Sequence, residues 1–186
     1  MMSKLDSIKI WQLNTDIHSS SSISIDNYHD NTTSNYDYID SKHKITALDY
    51  YFDQFCHLNL VWFDGEHQSL YTGLLTDDYE LININVINYN LNCSHARIAA
   101  DRFHRKIYIA LYEFGTIDYV DINRNFSYFN LIKNLTRPNE IAVDGDENVL
   151  FWIENWSCIA QISIDNKANV MKKCQIKPRT IATDTL

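Results

Sequence analysis

A four-residue step that recurs along the chain constrains its fold more than any other sequence feature. The step reads Ala-x-Asp after one Thr or Ile, and it occurs as TALD at 46–49, IAAD at 98–101, IAVD at 141–144 and IATD at 181–184. The repeated acidic residues are Asp49, Asp101, Asp144 and Asp184, which lie 52, 43 and 40 residues apart. A period of about 40–45 residues filled by short strands is typical of one four-stranded propeller blade. The step therefore predicts repeats over about 44–95, 96–138 and 139–178, with a fourth beginning at 179–186.

Each repeat continues with short runs rich in Ile, Val, Tyr and Phe, separated by Asp and Asn turns, as strands and hairpins require. No segment carries the apolar stripe and caps of an amphipathic helix. The sequence thus predicts an all-β chain of four-stranded antiparallel blades, about three of them, with the repeated aspartates as structural residues. Before the repeats, 1–43 predicts one strand at 8–13 and then a Ser/Asn-rich loop insertion.

The overall charge argues against two classes of partner. The chain has 16 basic and 24 acidic residues, a net charge of −8, and its Lys and Arg residues form no cluster. A nucleic-acid or anionic-membrane surface is therefore not expected. No apolar run of about 18 residues predicts a membrane span, and the first residues lack the apolar core of a signal peptide.

The second strand of each repeat carries a family resemblance. It reads VWFD at 61–64, YIAL at 108–111 and FWIE at 151–154, and the third repeat joins IAVD, FWIE and IAQISID in order. This pattern over 44–186 resembles the class B repeat of the low-density lipoprotein receptor family, named for Tyr-Trp-Thr-Asp. The run IKIWQL at 8–13 resembles the strand that often opens the first blade in that family.

The resemblance implies a partial six-bladed β-propeller in the extracellular part of a membrane receptor. Such a module is non-catalytic, holds no cofactor and binds protein ligands in endocytic or signalling co-receptors. It implies further blades, Cys-rich modules and a membrane span elsewhere in a longer polypeptide. Three blades cannot close a ring, so two blade faces are expected to need covering by neighbours.

The resemblance also implies a ligand face. In a four-stranded meander the loops between strands two and three share one end of the propeller with the connections between blades, and related receptors bind partners there. The matching positions in this chain are Glu66, His67, Tyr112, Glu113, Trp156, Arg97 and Arg179. Exposed aromatics flanked by charge suit a binding hot spot. Trp156 has an alternative role as a filler of the interface between blades.

Two of the four cysteines are placed to pair. If strands three and four of the third repeat pair around a turn at Asn166, Cys158 and Cys174 face each other. The sequence predicts a cross-strand disulfide there, and the alternative is two reduced, half-buried thiols. Cys56 and Cys93 fall at opposite propeller ends, so no bond between them is expected.

Asn-x-Ser/Thr sequons favour an extracellular setting. They occur at Asn31, Asn92, Asn125, Asn134 and Asn155. A glycan on Asn155 would obstruct the expected ligand face.

Nothing in the sequence indicates catalysis or a metal site. DGDEN at 144–148 opens like a calcium loop, but Val149 and Asn155 stand where such a loop needs Gly and Glu, so a plain turn is expected. The seven histidines have no ligand spacing. Two alternatives to a receptor remain on the same architecture. They are a calcium-dependent lactonase-type enzyme and a purely structural matrix propeller of nidogen type.

Overall fold

The computed structural model describes residues 44–88, 90–165 and 170–183, which form three four-stranded antiparallel sheets. The first blade consists of β1 (Ile45–Phe52), β2 (Leu58–Asp64), β3 (Ser69–Leu75) and β4 (Leu81–Asn88). The second blade consists of β5 (Ala96–Asp101), β6 (Lys106–Leu111), β7 (Thr116–Asp121) and β8 (Ser127–Ile132). The third blade consists of β9 (Pro138–Asp144), β10 (Val149–Glu154), β11 (Cys158–Ser163) and β12 (Met171–Cys174). The prediction of an all-β chain with three four-stranded blades is confirmed.

Strand β6, at the centre of the second blade, shows why these short runs form strands. Its side chains alternate between two faces, as any strand requires, and both faces are buried. Ile107 and Ile109 point towards the first blade, whereas Tyr108 and Ala110 point towards the third. Because both faces are covered, the strand reads as a continuous apolar run rather than an alternating one.

Two apolar clusters join the blades face to face. Between the first and second blades, Val61, Phe63 and Leu70 pack against Ile107 and Ile109. Their side chains are completely buried. A core of this kind fixes neighbouring blades side by side, because every one of these positions would otherwise face water.

Between the second and third blades the same arrangement recurs with larger side chains. Tyr108 and Ile117 pack against Leu150, Trp152 and Ile162. Trp152 is completely buried, so it fills the position between these two blades.

The innermost strands β1, β5 and β9 lie next to one another, and polar contacts link them. Asp49 Oδ2 accepts a hydrogen bond from the backbone nitrogen of Ala100 over 2.8 Å. Asp101 instead folds back on its own hairpin, where Oδ1 accepts from the backbone nitrogens of Phe103 and His104. The repeated aspartate therefore serves as a link between blades in one copy and as a turn cap in another.

Some strand limits differ from those expected. Strand β9 begins at Pro138 rather than after it. Strand β12 is short, and its pairing with β11 runs only from Gln161–Met171 to Cys158–Cys174. In the expected fourth copy, Thr183 Oγ1 donates to the carbonyl of Val143 over 2.8 Å. The predicted strand at 8–13, Asn31 and Asp184 lie outside the described residues.

In the part of the chain that the structure describes, no helix is long and apolar enough to cross a membrane.

Candidate functional site

The loops after the second strands and the connections between blades meet on one surface, here called the loop face. It comprises residues 65–68, 112–115 and 155–157 together with 90–95 and 133–137. Backbone hydrogen bonds tie the two sets together, from Tyr112 to the His95 carbonyl, from Leu135 to that of Gly115 and from Asn155 to that of Arg137.

Gly115 permits the tightest of these approaches. Its φ is +62°, and a Cβ there would meet the Leu135 carbonyl oxygen at 2.2 Å. Any other residue would push the connection between the second and third blades away from the loop.

A groove of about 330 Å³ opens on the loop face between the second and third blades. It is lined by His95, Arg97, Tyr112, Pro138, Asn139 and Trp156. Trp156 lines the groove and is 47% exposed. The residue that fills the interface between the blades is Trp152, which is completely buried. The groove thus brings together Arg97, Tyr112 and Trp156 from the residues expected to bind ligand.

An Arg guanidinium and a His ring flank Tyr112 in the wall of the groove. The Arg137 guanidinium lies 5.9 Å from the centroid of the Tyr112 ring, and the His95 ring lies 6.3 Å from it on centroids. A cation at this distance is attracted by the ring face, so Arg137 helps to fix the orientation of Tyr112.

Arg97 closes the inner end of the groove and spans three innermost strands. Its Nη1 donates to the Thr46 carbonyl on β1 over 2.8 Å, and its Nε donates to Glu140 Oε1 on β9 over 3.2 Å. The side chain remains 37% exposed. Arg97 is therefore held in place while part of its guanidinium stays accessible to a ligand.

Glu113 binds the connection that precedes the second blade. Its carboxylate accepts hydrogen bonds from the Cys93 thiol and from the Ser94 hydroxyl, the latter over 2.8 Å, and His95 Nδ1 lies 3.0 Å away. Partial burial acts to raise the pKa of Glu113, but the hydrogen bonds from Cys93, His95 and Ser94 outweigh it and lower the pKa to about 2. The carboxylate is thus charged and already engaged.

The Cys93 thiol is the protonated partner in this contact. Burial and then its hydrogen bond to Glu113 raise the pKa of Cys93 to about 12. A thiol in this state is a poor nucleophile, so Cys93 acts as a hydrogen-bond donor inside the connection.

The remaining residues expected on the face lie outside the groove. His67 Nδ1 lies 2.7 Å from Oδ2 of the buried Asp64, and the Glu66 backbone nitrogen donates to Asp64 Oδ1 over 2.9 Å. Glu66 and Arg179 are exposed. The structure therefore places Glu66 and His67 in the loop of the first blade, separate from Tyr112 and Trp156.

Sequence reasoning missed a local motif that builds these turns. Asp64 with His67 and Asp101 with His104 have the same Asp-x-x-His spacing, and in both the buried aspartate caps the following backbone nitrogens and contacts the histidine Nδ1. The sequence contains this spacing twice. The two copies do not align as a repeat, because Asp64 ends the second strand of its blade and Asp101 ends the first strand of its blade.

The four sequon asparagines that the structure describes are exposed. Asn92, Asn134 and Asn155 lie on the loop face, whereas Asn125 follows the 3-10 turn at Ile122–Arg124 on the opposite side. All four have φ between 49° and 61°. Asparagine tolerates this left-handed conformation better than most residues, which gives these positions a backbone role independent of glycans.

The predicted disulfide is confirmed. Cys158 and Cys174 are directly opposed across β11 and β12, with a Cα–Cα distance of 3.9 Å, and their sulfurs are bonded. Cys56 is exposed and Cys93 is buried, and both are free thiols.

The 144–148 segment is a hairpin turn between β9 and β10, in which Asp144 Oδ1 accepts from the backbone nitrogen of Glu147. Within the described residues, no group of three or more His, Cys, Asp or Glu side chains is arranged to hold a metal ion.

Comparison with known proteins identifies the fold. No protein-family model matches the chain, and no curated protein matches it. Among solved structures, a chain in the crystal structure of the nidogen/laminin complex is 19% identical with a TM-score of 0.61, over 76% of this chain and 53% of that one.

Two further structures are similar at lower scores. A luciferin-regenerating enzyme is 14% identical with a TM-score of 0.50, over 73% of this chain and 48% of its own. A protein of unknown function from Bacteroides thetaiotaomicron is 9% identical with a TM-score of 0.50, over 68% of this chain and 30% of its own. These likenesses show a β-propeller fold, and this chain spans about half the length of the first two proteins.

Proposed function

We propose that the chain is a non-catalytic segment of an extracellular propeller that binds protein ligands on its loop face, within a receptor of the lipoprotein-receptor type. The groove between Tyr112 and Trp156 is the observation that carries this proposal. It offers two partly accessible aromatic side chains and a fixed guanidinium at its inner end. Aromatic and Arg side chains around a concave site are the residues that most often dominate protein–protein affinity.

The extracellular setting is supported by the covalent chemistry of the chain. The Cys158–Cys174 disulfide persists only in oxidising compartments in most organisms, and the sequon asparagines at 92, 125, 134 and 155 are accessible. The similar chain comes from a complex of nidogen with laminin, which agrees with a protein partner.

The proposal is tested by direct binding measurements on the purified chain. Immobilised 1–186 is titrated with purified laminin and with low-density lipoprotein, the two probes that the similar structure and the sequence resemblance suggest. Binding should weaken at least about tenfold on Trp156→Ala or Tyr112→Ala, since hot-spot truncations cost about 2 kcal/mol or more and each 1.4 kcal/mol is about tenfold in affinity. The matched controls are Tyr79→Ala and Phe103→Ala, which remove exposed aromatics on the opposite side.

The controls decide between a ligand groove and a structural propeller. Equal affinity for the groove variants and the controls would contradict the proposal. It would favour the nidogen-type alternative in which the blades only support neighbouring modules.

An enzyme is the second candidate, favoured by the likeness to the luciferin-regenerating enzyme. A calcium-dependent lactonase-type site would have to draw acidic and amide side chains together at the propeller axis. Hydrolysis of lactone substrates with and without calcium tests it. Turnover that requires about one calcium ion per chain would replace the binding function with an enzymatic one.

A further inference from the structure

A second and larger cleft, here called the outer cleft, lies where the first blade meets the turn before β8 of the second blade. It is lined by residues from 51–59, 72–74, 83–87 and 125–126. Its volume is about 690 Å³, within the range of about 300–1,000 Å³ that small-molecule sites have. The outer cleft shares no lining residue with the loop face, so it is a separate candidate site.

Two buried hydroxyl groups belong to the lining of the outer cleft. Tyr51 and Thr72 are 4% and 6% exposed, and their oxygens lie 3.1 Å apart. Thr72 Oγ1 donates its proton to the Leu60 carbonyl over 2.9 Å, so the Tyr51 hydroxyl is the donor to Thr72. Burial raises the pKa of Tyr51, and the phenol therefore keeps that proton. Its oxygen retains a lone pair that can accept a hydrogen bond from a ligand hydroxyl.

Amide side chains supply both donors and acceptors to the same lining. Asn59 Nδ2 donates to the His57 carbonyl over 3.0 Å, and Asn85 Nδ2 donates to the Asn83 carbonyl over 2.7 Å. Each bond fixes one side of an amide and leaves its second N–H and its carbonyl oxygen for a ligand. Such groups suit a molecule whose neighbouring groups both donate and accept, as the hydroxyls of a sugar do.

The charge of the lining argues against other classes of ligand. The Asp53 carboxylate is already engaged, because Oδ1 accepts from the Phe55 and His57 nitrogens and Oδ2 lies 3.1 Å from His57 Nδ1. Among the described residues, no Lys or Arg lines the outer cleft, so a phosphate or carboxylate would meet no guanidinium or ammonium there. A wholly apolar ligand would bury the amides and hydroxyls without partners. The lining therefore fits a neutral molecule rich in hydroxyls.

Phe126 adds an apolar wall to the outer cleft. It is half-buried and packs on the apolar cluster between the first two blades. Asn125 and Phe126 have φ of 51° and 57°, a left-handed conformation that bulky side chains rarely adopt. This turn brings an aromatic side chain to the lining beside amide groups. The C–H face of a sugar ring packs favourably on such an apolar side chain.

We propose that the outer cleft binds a neutral saccharide. The saccharide hydroxyls donate to Tyr51 and exchange hydrogen bonds with Asn59 and Asn85, while the C–H face of a ring packs on Phe126. Two sources have this chemistry, a separate glycan and a glycan on the Asn125 sequon, whose side chain lines the same cleft. The inference does not depend on ligand binding at the loop face.

Titration of bacterially produced 1–186, which carries no N-glycan, with N,N′-diacetylchitobiose and with lactose tests the proposal. Backbone amide signals in NMR spectra should shift at 51–59, 83–87 and 125–126 and saturate at millimolar sugar. Asn85→Ala and Tyr51→Phe should each weaken binding about fivefold, the loss that one hydrogen bond represents. Asn85 is exposed on an outer strand, so its variant reports on binding even if Tyr51→Phe destabilises the blade.

The chain secreted from mammalian cells distinguishes the two sources. Endoglycosidase trimming leaves one N-acetylglucosamine on a glycosylated Asn125. Binding of the free disaccharide to this form, before or after trimming, identifies a separate glycan as the ligand. If the disaccharide stays excluded after trimming, the sugar attached to Asn125 occupies the outer cleft. Both results support a saccharide in this cleft and differ in its source.

Matched controls change similar side chains outside the lining. Asn123→Ala and Tyr79→Phe alter exposed residues and should leave the affinity for the disaccharides unchanged. The absence of saturable binding of both disaccharides to the bacterial chain would overturn the proposal, as would equal affinities in the cleft variants and the controls. Loss of sugar binding in Tyr112→Ala or Trp156→Ala would also overturn it, because the sugar would then lie on the loop face.

Discussion

Asp49 Oδ2 accepts a hydrogen bond from the backbone nitrogen of Ala100 across 2.8 Å, and this contact joins the innermost strands of the first two blades. The corresponding Asp144 accepts a local hydrogen bond, from the Glu147 nitrogen in its own exposed hairpin turn. The same sequence step thus performs two tasks, and the two aspartates should respond differently to substitution.

Removing the Asp49 carboxylate should destabilise the chain. Asp49→Ala leaves the Ala100 nitrogen without its partner at a half-buried position, and the expected cost is about 1.5–3 kcal/mol for a charged acceptor. Asp144→Ala should cost about 0.5–1 kcal/mol because its bond is exposed and local. Urea unfolding followed by fluorescence measures both, and equal losses would contradict the inter-blade role of Asp49.

Reduction of the Cys158–Cys174 bond should weaken the outer edge of the third blade. The two cysteines are 16 residues apart, and a loop of that length predicts a loss of about 2–4 kcal/mol. The measurement is thermal unfolding of the double variant Cys158→Ser/Cys174→Ser beside the parent chain. Cys56→Ser is the control, since that thiol is free and exposed. A double variant as stable as the parent would show that the bond contributes nothing.

Glu113 should make stability depend on acid pH. Its folded pKa of about 2 lies below its ordinary value of 4.5, so its contribution is fully present above about pH 4.5 and is lost as the pH falls towards 2. Thermal unfolding between pH 6 and pH 2 should show this loss, and Glu113→Gln should flatten it while lowering the melting temperature at neutral pH. An unchanged slope in Glu113→Gln would assign the acid sensitivity to other carboxylates.

The two tryptophans of the third blade should separate stability from binding. Trp152→Ala removes a completely buried ring between two blades, with an expected cost of about 3–5 kcal/mol. Trp156→Ala removes a half-exposed ring and should change stability by less than about 0.5 kcal/mol. Circular dichroism melts measure both. A large loss of stability in Trp156→Ala would mean that this ring supports the fold rather than a ligand surface.

Periodicity accounts for most of what the sequence predicted correctly. The Ala-x-Asp step and the aromatic second strands located the blades because every copy has to bury equivalent positions, as Ile107 and Leu150 do. The Cys158–Cys174 pairing followed from hairpin symmetry, which fixes partners by a constant sum of residue numbers.

The details of the loop face were not predictable in this way. The bonds from Cys93 and Ser94 to Glu113 span about twenty residues and depend on how the connection before the second blade packs on the loop after β6, where the Tyr112 nitrogen donates to the His95 carbonyl. Such contacts have no period, so sequence spacing carries no trace of them. Trp156 likewise has a left-handed backbone, with φ of 53°, and is 47% exposed, and sequence spacing indicates neither property for a Trp.

Three blades are stacked face to face with β6 at their centre, and hydrogen–deuterium exchange tests this arrangement most directly. Residues 107–111 lie between two paired strands and beneath two blade interfaces, so their amides should exchange only through near-global unfolding. Strand β4 (Leu81–Asn88) is an outer strand with largely exposed side chains and should exchange on the order of a thousandfold faster. Protection of β6 as the slowest segment is the predicted result, and exchange of β6 as fast as that of β4 would contradict the stacked-blade architecture.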